Sequence, residues 1–175
     1  MIDKNLCYLK LCGSSVIQRY FQENKSELSF QPYYGFDVST IPLDLALQEP
    51  LLASLHRKHQ IMGAGIIRID KDRCYKWHCD AVRGATINML LSESNSMVLF
   101  GNMSKDSEDQ YEVIRLDYEV GSFYAFNTQA MHTVINFDEP RYLFTIEFCE
   151  DKRQLSYNNL IESLSELQST LPRVE

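Results

Sequence analysis

The sequence predicts a mainly β domain, two antiparallel sheets packed as a jelly roll, with helices in the N-terminal third and at the C-terminus. Three observations carry this. From Gly63 to Glu150 the chain is a series of eight short runs rich in β-branched and aromatic residues. Turn-forming residues separate them: Lys-Asp, Arg-Gly, Ser-Asn-Ser, Gly and Asp-Glu-Pro. Outside that block the apolar spacing changes to the helical one.

Taken in order, residues 1–62 read as an α/β support region. LCYLKL (6–11) suits a strand. Ser14 or Ser15 is placed to cap a helix over VIQRYFQEN, in which Val16, Tyr20 and Phe21 share a face. PYYGFDVST (32–40) is aromatic and turn-rich. Residues 42–60 carry Leu43, Leu47, Leu51 and Leu55 at helical spacing, and Pro50 should kink or divide that helix. The strands of the core, residues 63–150, are AGIIRID (64–70), CYKWHCD (74–80), ATINMLLS (85–92), SMVLFGN (96–102), YEVIRLD (111–117), GSFYAFN (121–127), MHTVINF (131–137) and RYLFTIEF (141–148). The acidic stretch 104–110 is expected to be an exposed loop. Residues 151–175 give an amphipathic helix, with Leu160, Leu164 and Leu167 on one face, and a fraying tail.

The bulk properties narrow the function. The chain has 175 residues, 45% hydrophobic and 23% charged, which fits one globular domain. Its net charge of −7 opposes binding to nucleic acid backbones. The basic run HRKH (56–59) reads as a solvated helix end. No apolar stretch is long enough to span a bilayer, and the N-terminus lacks the apolar core of a signal peptide. Five cysteines with no C-x-x-C pair read as reduced thiols in a cytoplasmic protein.

The chemistry concentrates in YKWHCDAVRGATINMLLS (75–92). On a strand, His78 and Asp80 point the same way, and Cys79 between them points away. His132 lies on a later strand. Two histidines and a carboxylate on one face form the facial triad of non-haem Fe(II) oxygenases, which leaves three coordination positions open. A chance surface pair at His78 and Asp80, and a core histidine at His132, are the plainer readings. Arg141 follows His132 by nine residues and shares a face with Leu143 and Thr145. A guanidinium beside a hydroxyl suits a carboxylate ligand, whereas a strand-end arginine in solvent would need none. Thr86, Asn88 and Leu90 share another face. Asn88 either faces the interior and needs a partner, or faces solvent while Ile87, Met89 and Leu91 face the core.

With H-C-D at 78–80, His132 and R-Y-L-F-T at 141–145, the chain resembles the 2-oxoglutarate- and Fe(II)-dependent dioxygenase superfamily over residues 64–148. The pattern is most similar to the prolyl-4-hydroxylase-like group. The resemblance implies a double-stranded β-helix, a cupin-like jelly roll. It implies Fe(II) on His78, Asp80 and His132, and 2-oxoglutarate on Arg141 with help from Thr145 and, by its face, Asn88. It further implies O₂ as the oxidant, with release of succinate and CO₂. The carboxylate at Asp80 points to a hydroxylase rather than a halogenase. Arg83, Tyr75 and Trp77 are candidates for contact with an amino-acid, peptidyl or other small-molecule substrate. Asn88 and Leu90 stand where prolyl hydroxylases often have tyrosine, and Arg83 comes close to the ligands, so a prolyl substrate does not follow. The competing readings are a cupin-type enzyme using zinc or iron without 2-oxoglutarate, and a non-catalytic jelly-roll binding module.

Overall fold

The structure is a computed structural model that describes residues 3–14, 16–103 and 111–170. In chain order the first third gives β1 (Tyr8–Gly13), α1 (Val16–Asn24), β2 (Gln31–Tyr33), β3 (Phe36–Thr40), α2 (Leu43–Ala46) and α3 (Pro50–Lys58). The eight expected strands follow as β4 (Ile61–Ile69), β5 (Arg73–His78), β6 (Ala85–Leu90), β7 (Ser96–Met103), β8 (Tyr111–Leu116), β9 (Ser122–Asn127), β10 (His132–Asn136) and β11 (Arg141–Phe148). Helix α4 (Tyr157–Thr170) closes the described chain. The loop expected at 104–110 and the tail from 171 lie outside the described residues.

The strands form two antiparallel sheets, β1-β9-β6-β11-β4-β3-β2 and β5-β10-β7-β8. The aromatic PYYGFDVST segment is a hairpin, β2–β3, that extends the larger sheet. Its tip, Tyr34-Gly35, takes positive φ at both residues, as a two-residue hairpin turn requires. Four helices cover the outer face of the larger sheet. Ile17 and Phe21 of α1, Leu51, Leu52 and Leu55 of α3, and Leu160 and Leu164 of α4 meet Ile66, Ile87, Met89, Phe144 and Ile146 in one apolar cluster. The buried pair on α1 is therefore Ile17 and Phe21, with Tyr20 at its rim. Pro50 does divide the predicted long helix, and it opens α3 at the first turn, where its missing N–H costs nothing.

Every residue of β6 is buried, because helices cover one side and the smaller sheet the other. This overturns the solvent-facing alternative for Asn88. Ile87 and Met89 face the helices, while Thr86 and Asn88 point between the sheets.

The start of α1 is capped from afar. Glu49 accepts from the N–H groups of Val16 (3.0 Å) and Ile17 (3.3 Å), and Ser14 Oγ donates to the same carboxylate. Ser14 thus supports the cap without being it. Burial pushes the Glu49 carboxyl above its usual range, against the pull of the two backbone N–H donors. A raised carboxyl pKa means the folded state holds more protons, so this contribution favours folding at low pH and declines as pH rises past the ordinary carboxylate range. Glu49→Ala is expected to cost about 1–2 kcal/mol in chemical denaturation at neutral pH. Glu49→Gln keeps an acceptor and should remove that pH dependence. A Glu49→Ala protein of wild-type stability would show that the cap contributes nothing.

Candidate active site

The site begins where β5 and β10 pair. His132 stands opposite His78, but Val134 stands opposite Tyr75, so β5 spends three residues where β10 spends two. This bulge resets the alternation of β5. Tyr75 and His78 both face inward and line the cavity between the sheets. Trp77 is turned to the outer face, where a Cβ on Gly101 would lie 2.9 Å from its ring. The expected substrate contact by Trp77 is corrected on that ground.

β5 ends at His78, so Asp80 lies in an irregular segment and not on the strand. Alternation therefore fails for Cys79 as well, which lines the cavity. The pair still converges. One ligand atom from each of His78, Asp80 and His132 lies within 4.8 Å of the others. The two imidazole centroids are 4.2 Å apart.

Each imidazole is fixed by a backbone carbonyl. His78 Nδ1 bonds Lys76 O at 2.9 Å and His132 Nδ1 bonds Ala130 O at 2.8 Å. A carbonyl only accepts, so Nδ1 carries a proton in both rings and the Nε2 atoms are the ones turned toward a metal, that of His78 also facing Asp80 Oδ1 at 3.5 Å. Burial pushes His132 down to about 4, so it is neutral across the physiological range. Hydrogen bonding to Asp80 raises His78 despite its partial burial. Burial pushes the Asp80 carboxyl up, but His78 and the charge of Arg83 outweigh it and hold the group below the usual range.

Arg141 sits in the same cavity, which has a volume of about 730 Å³. It is 1% exposed. Its Nε and Nη2 have no hydrogen-bond partner among the described residues, nor do Asn88 Oδ1 and Tyr118 Oη. The guanidinium lies 5.5 Å from the Tyr118 ring centroid. Burial lowers the Arg141 pKa, and burial pushes the Tyr118 phenol up to about 12. Thr145 stands opposite Asn88 across β11 and β6. Thr86 Oγ1 gives its proton to Ile146 O (2.7 Å), so Thr145 Oγ1, 3.2 Å away, is the donor of that pair and can turn to another acceptor. A buried cation with free donors is costly unless an anion compensates it. The donor set fits a carboxylate here, and the triad fits a divalent metal beside it.

The structure thus brings His78, Asp80, His132, Arg141, Thr145, Asn88, Tyr75 and Arg83 to one cavity and leaves Trp77 outside. Arg83 is spent on Asp80: its Nε and Nη2 both reach Oδ2 at 2.7 Å. Sequence reasoning missed Tyr118, which lies just past β8 in L-D-Y-E-V-G, where no strand alternation orients it. It also missed Thr128 and Gln129, which reach the site only through turn geometry.

No protein-family model and no curated protein sequence matches this chain. Solved structures do. A prolyl hydroxylase from Trichoplax adhaerens, in complex with a hypoxia inducible factor peptide fragment, superposes with a TM-score of 0.61 at 14% identity, over 83% of this chain and 84% of that one. An oxidoreductase of the 2OG-Fe(II) oxygenase family from Burkholderia pseudomallei gives 0.59 at 10% identity, over 88% of each chain. HygX from Streptomyces hygroscopicus, with nickel, 2-oxoglutarate and hygromycin B bound, gives 0.58 at 14%, over 81% and 82%. Two antiparallel sheets enclosing this cavity, superposing at that level, are the double-stranded β-helix fold of the 2-oxoglutarate/Fe(II) oxygenases.

Proposed function

We propose that the protein is a 2-oxoglutarate- and Fe(II)-dependent dioxygenase that hydroxylates an amino-acid, peptidyl or other small-molecule substrate. The observation that carries this reading is Arg141, a fully buried guanidinium with two unpaired nitrogens in the cavity that also holds the triad. His78 Nε2, His132 Nε2 and one Asp80 oxygen would hold the iron. Arg141 would bind the far carboxylate of 2-oxoglutarate through parallel N–H donors, with Thr145 donating and Asn88 completing the polar end. The iron, once loaded with 2-oxoglutarate, supplies O₂ activation coupled to oxidative decarboxylation, releasing succinate and CO₂. The protein's own part is to hold that geometry and keep water out. Ile67, Val98, Val134 and Leu143 form the apolar wall that does so. Tyr75, edge-on to His78 at 4.6 Å and lining the cavity, would contact the substrate.

A cupin-type zinc or iron enzyme would use the triad but leave Arg141 unexplained, and a binding module would leave both unexplained. Two of the similar structures hold ligands of different kinds, a peptide fragment in one and hygromycin B in the other, and either class is a candidate here. The five free thiols suit a reducing, cytoplasmic compartment. No helix among the described residues is long and apolar enough to cross a membrane. The test is succinate formation from 2-oxoglutarate with Fe(II) and O₂, screened against amino-acid, peptide and metabolite pools. Turnover should rise with a substrate and vanish in Asp80→Ala. Succinate formation that persists in Asp80→Ala would overturn the assignment.

A further inference from the structure

We infer that Arg83, Thr128 and Gln129 form a positioning clamp that presents Asp80 to the metal through one carboxylate oxygen. This rests on the metal reading above and extends it to residues that hold a metal ligand without being one.

The clamp is built from both sides. Arg83 Nε and Nη2 converge on Oδ2 alone, while Oδ1 faces His78 Nε2 at 3.5 Å. The Asp80 N–H donates to Thr128 O at 2.9 Å. Thr128 Oγ1 donates to Arg83 O at 2.6 Å, and Gln129 Nε2 donates to both Asp80 O and Arg83 O at 2.8 Å. The turn that carries Thr128 and Gln129 leads directly into His132. The segment bearing Asp80 is thus stitched to the segment bearing the distal histidine. From the opposite side Lys152 N–H donates to Val82 O at 2.8 Å. A Cβ on Gly84 would lie 2.2 Å from Leu155 O, so only glycine permits that approach. Asp80 gains from this loop the orientation that a strand would otherwise give it.

The consequence concerns coordination. With Oδ2 held by Arg83, Asp80 occupies one metal position and three remain open. Released, the carboxylate loses that fixed presentation, and binding a metal then costs the side-chain freedom it has gained.

Charge and position predict opposite results, which makes the clamp testable. If Arg83 acted only as a nearby cation, its removal would tighten binding of a divalent metal. If it positions Asp80, removal weakens binding. The probe is Co(II), titrated anaerobically into metal-free protein and followed by calorimetry and by its visible spectrum, which reports coordination number. Arg83→Met should lower Co(II) affinity about 10–100-fold, the range of outer-shell losses at metal sites. It should also shift the Co(II) spectrum. Arg83→Lys, with one donor group in place of two, should recover part of the affinity. Lys71→Met, an exposed charge change away from the triad, is the control. Gln129 is exposed, so Gln129→Met should fold normally and still weaken binding, by roughly 10-fold at the low end of that range. Arg83→Met and Gln129→Met that bind Co(II) as tightly as wild type, or tighter, with an unchanged spectrum, overturn the clamp and leave the metal site standing. Wild-type protein that binds no divalent metal overturns both.

Discussion

Replacing His132 with alanine should reduce iron from one equivalent per chain to a trace after anaerobic loading and desalting. His132 offers the triad a neutral ligand nitrogen. Its Nδ1 proton is fixed by Ala130 O, and burial keeps the ring uncharged, so no proton competes for Nε2. Loss of an outer-shell partner alone costs about 10–100-fold in metal affinity, and loss of the ligand itself should exceed that. The ring packs edge-on against Phe126 at 4.9 Å, so the variant also leaves a gap beside β9. Metal-free thermal unfolding separates the two effects. The variant should lose a few degrees at most and keep its circular dichroism. Undiminished iron stoichiometry would show that His132 is a core histidine.

Arg141→Met should act on the cosubstrate and not on the metal. Truncating one partner of a buried charge pair costs about 2–5 kcal/mol, so the 2-oxoglutarate concentration needed for half-saturation should rise by at least about 30-fold. Iron affinity should stay within a few-fold of wild type. A second signature has the opposite sign. In the absence of ligand, Arg141 is a buried cation with two unpaired nitrogens, and replacing it with an apolar side chain of similar length removes that cost. The ligand-free variant should be as stable as wild type or more so. Added 2-oxoglutarate with iron should stabilise wild type by about 2.7 kcal/mol at a hundredfold excess over Kd and leave the variant unmoved. Equal 2-oxoglutarate dependence in the two proteins would remove Arg141 from the site.

A third substitution tests the loop that carries Asp80. Gly84→Ala places a methyl group against the backbone of Leu155. It should cost at least about 2 kcal/mol in denaturant unfolding, as overpacking against fixed backbone does. Unchanged stability would mean that the 80–84 loop is not held against the segment before α4.

The strands were legible because their periodicity is local. All eight runs read between residues 64 and 148 appear as strands, the first beginning three residues earlier at Ile61, and Arg141, Leu143 and Thr145 do share the cavity face. Asn88 was ambiguous because alternation gives two faces but not which is covered. The helices settled it by burying Ile87 and Met89. Other features were illegible because they depend on pairing. The β5 bulge appears only in its register with β10, and it reversed Trp77. The ion pair of Arg83 with Asp80 is three residues long in sequence, yet a solvent-facing arginine would look the same there. Tyr118 closes over Arg141 from beyond a strand end, where sequence spacing carries no directional information.

The most direct measurement is an anaerobic calorimetric titration of 2-oxoglutarate into the protein with and without Fe(II). The account predicts one 2-oxoglutarate site per chain, strongly dependent on bound iron, and lost in both His132→Ala and Arg141→Met. Iron binding with no accompanying 2-oxoglutarate site would contradict it and favour a cupin-type metal enzyme.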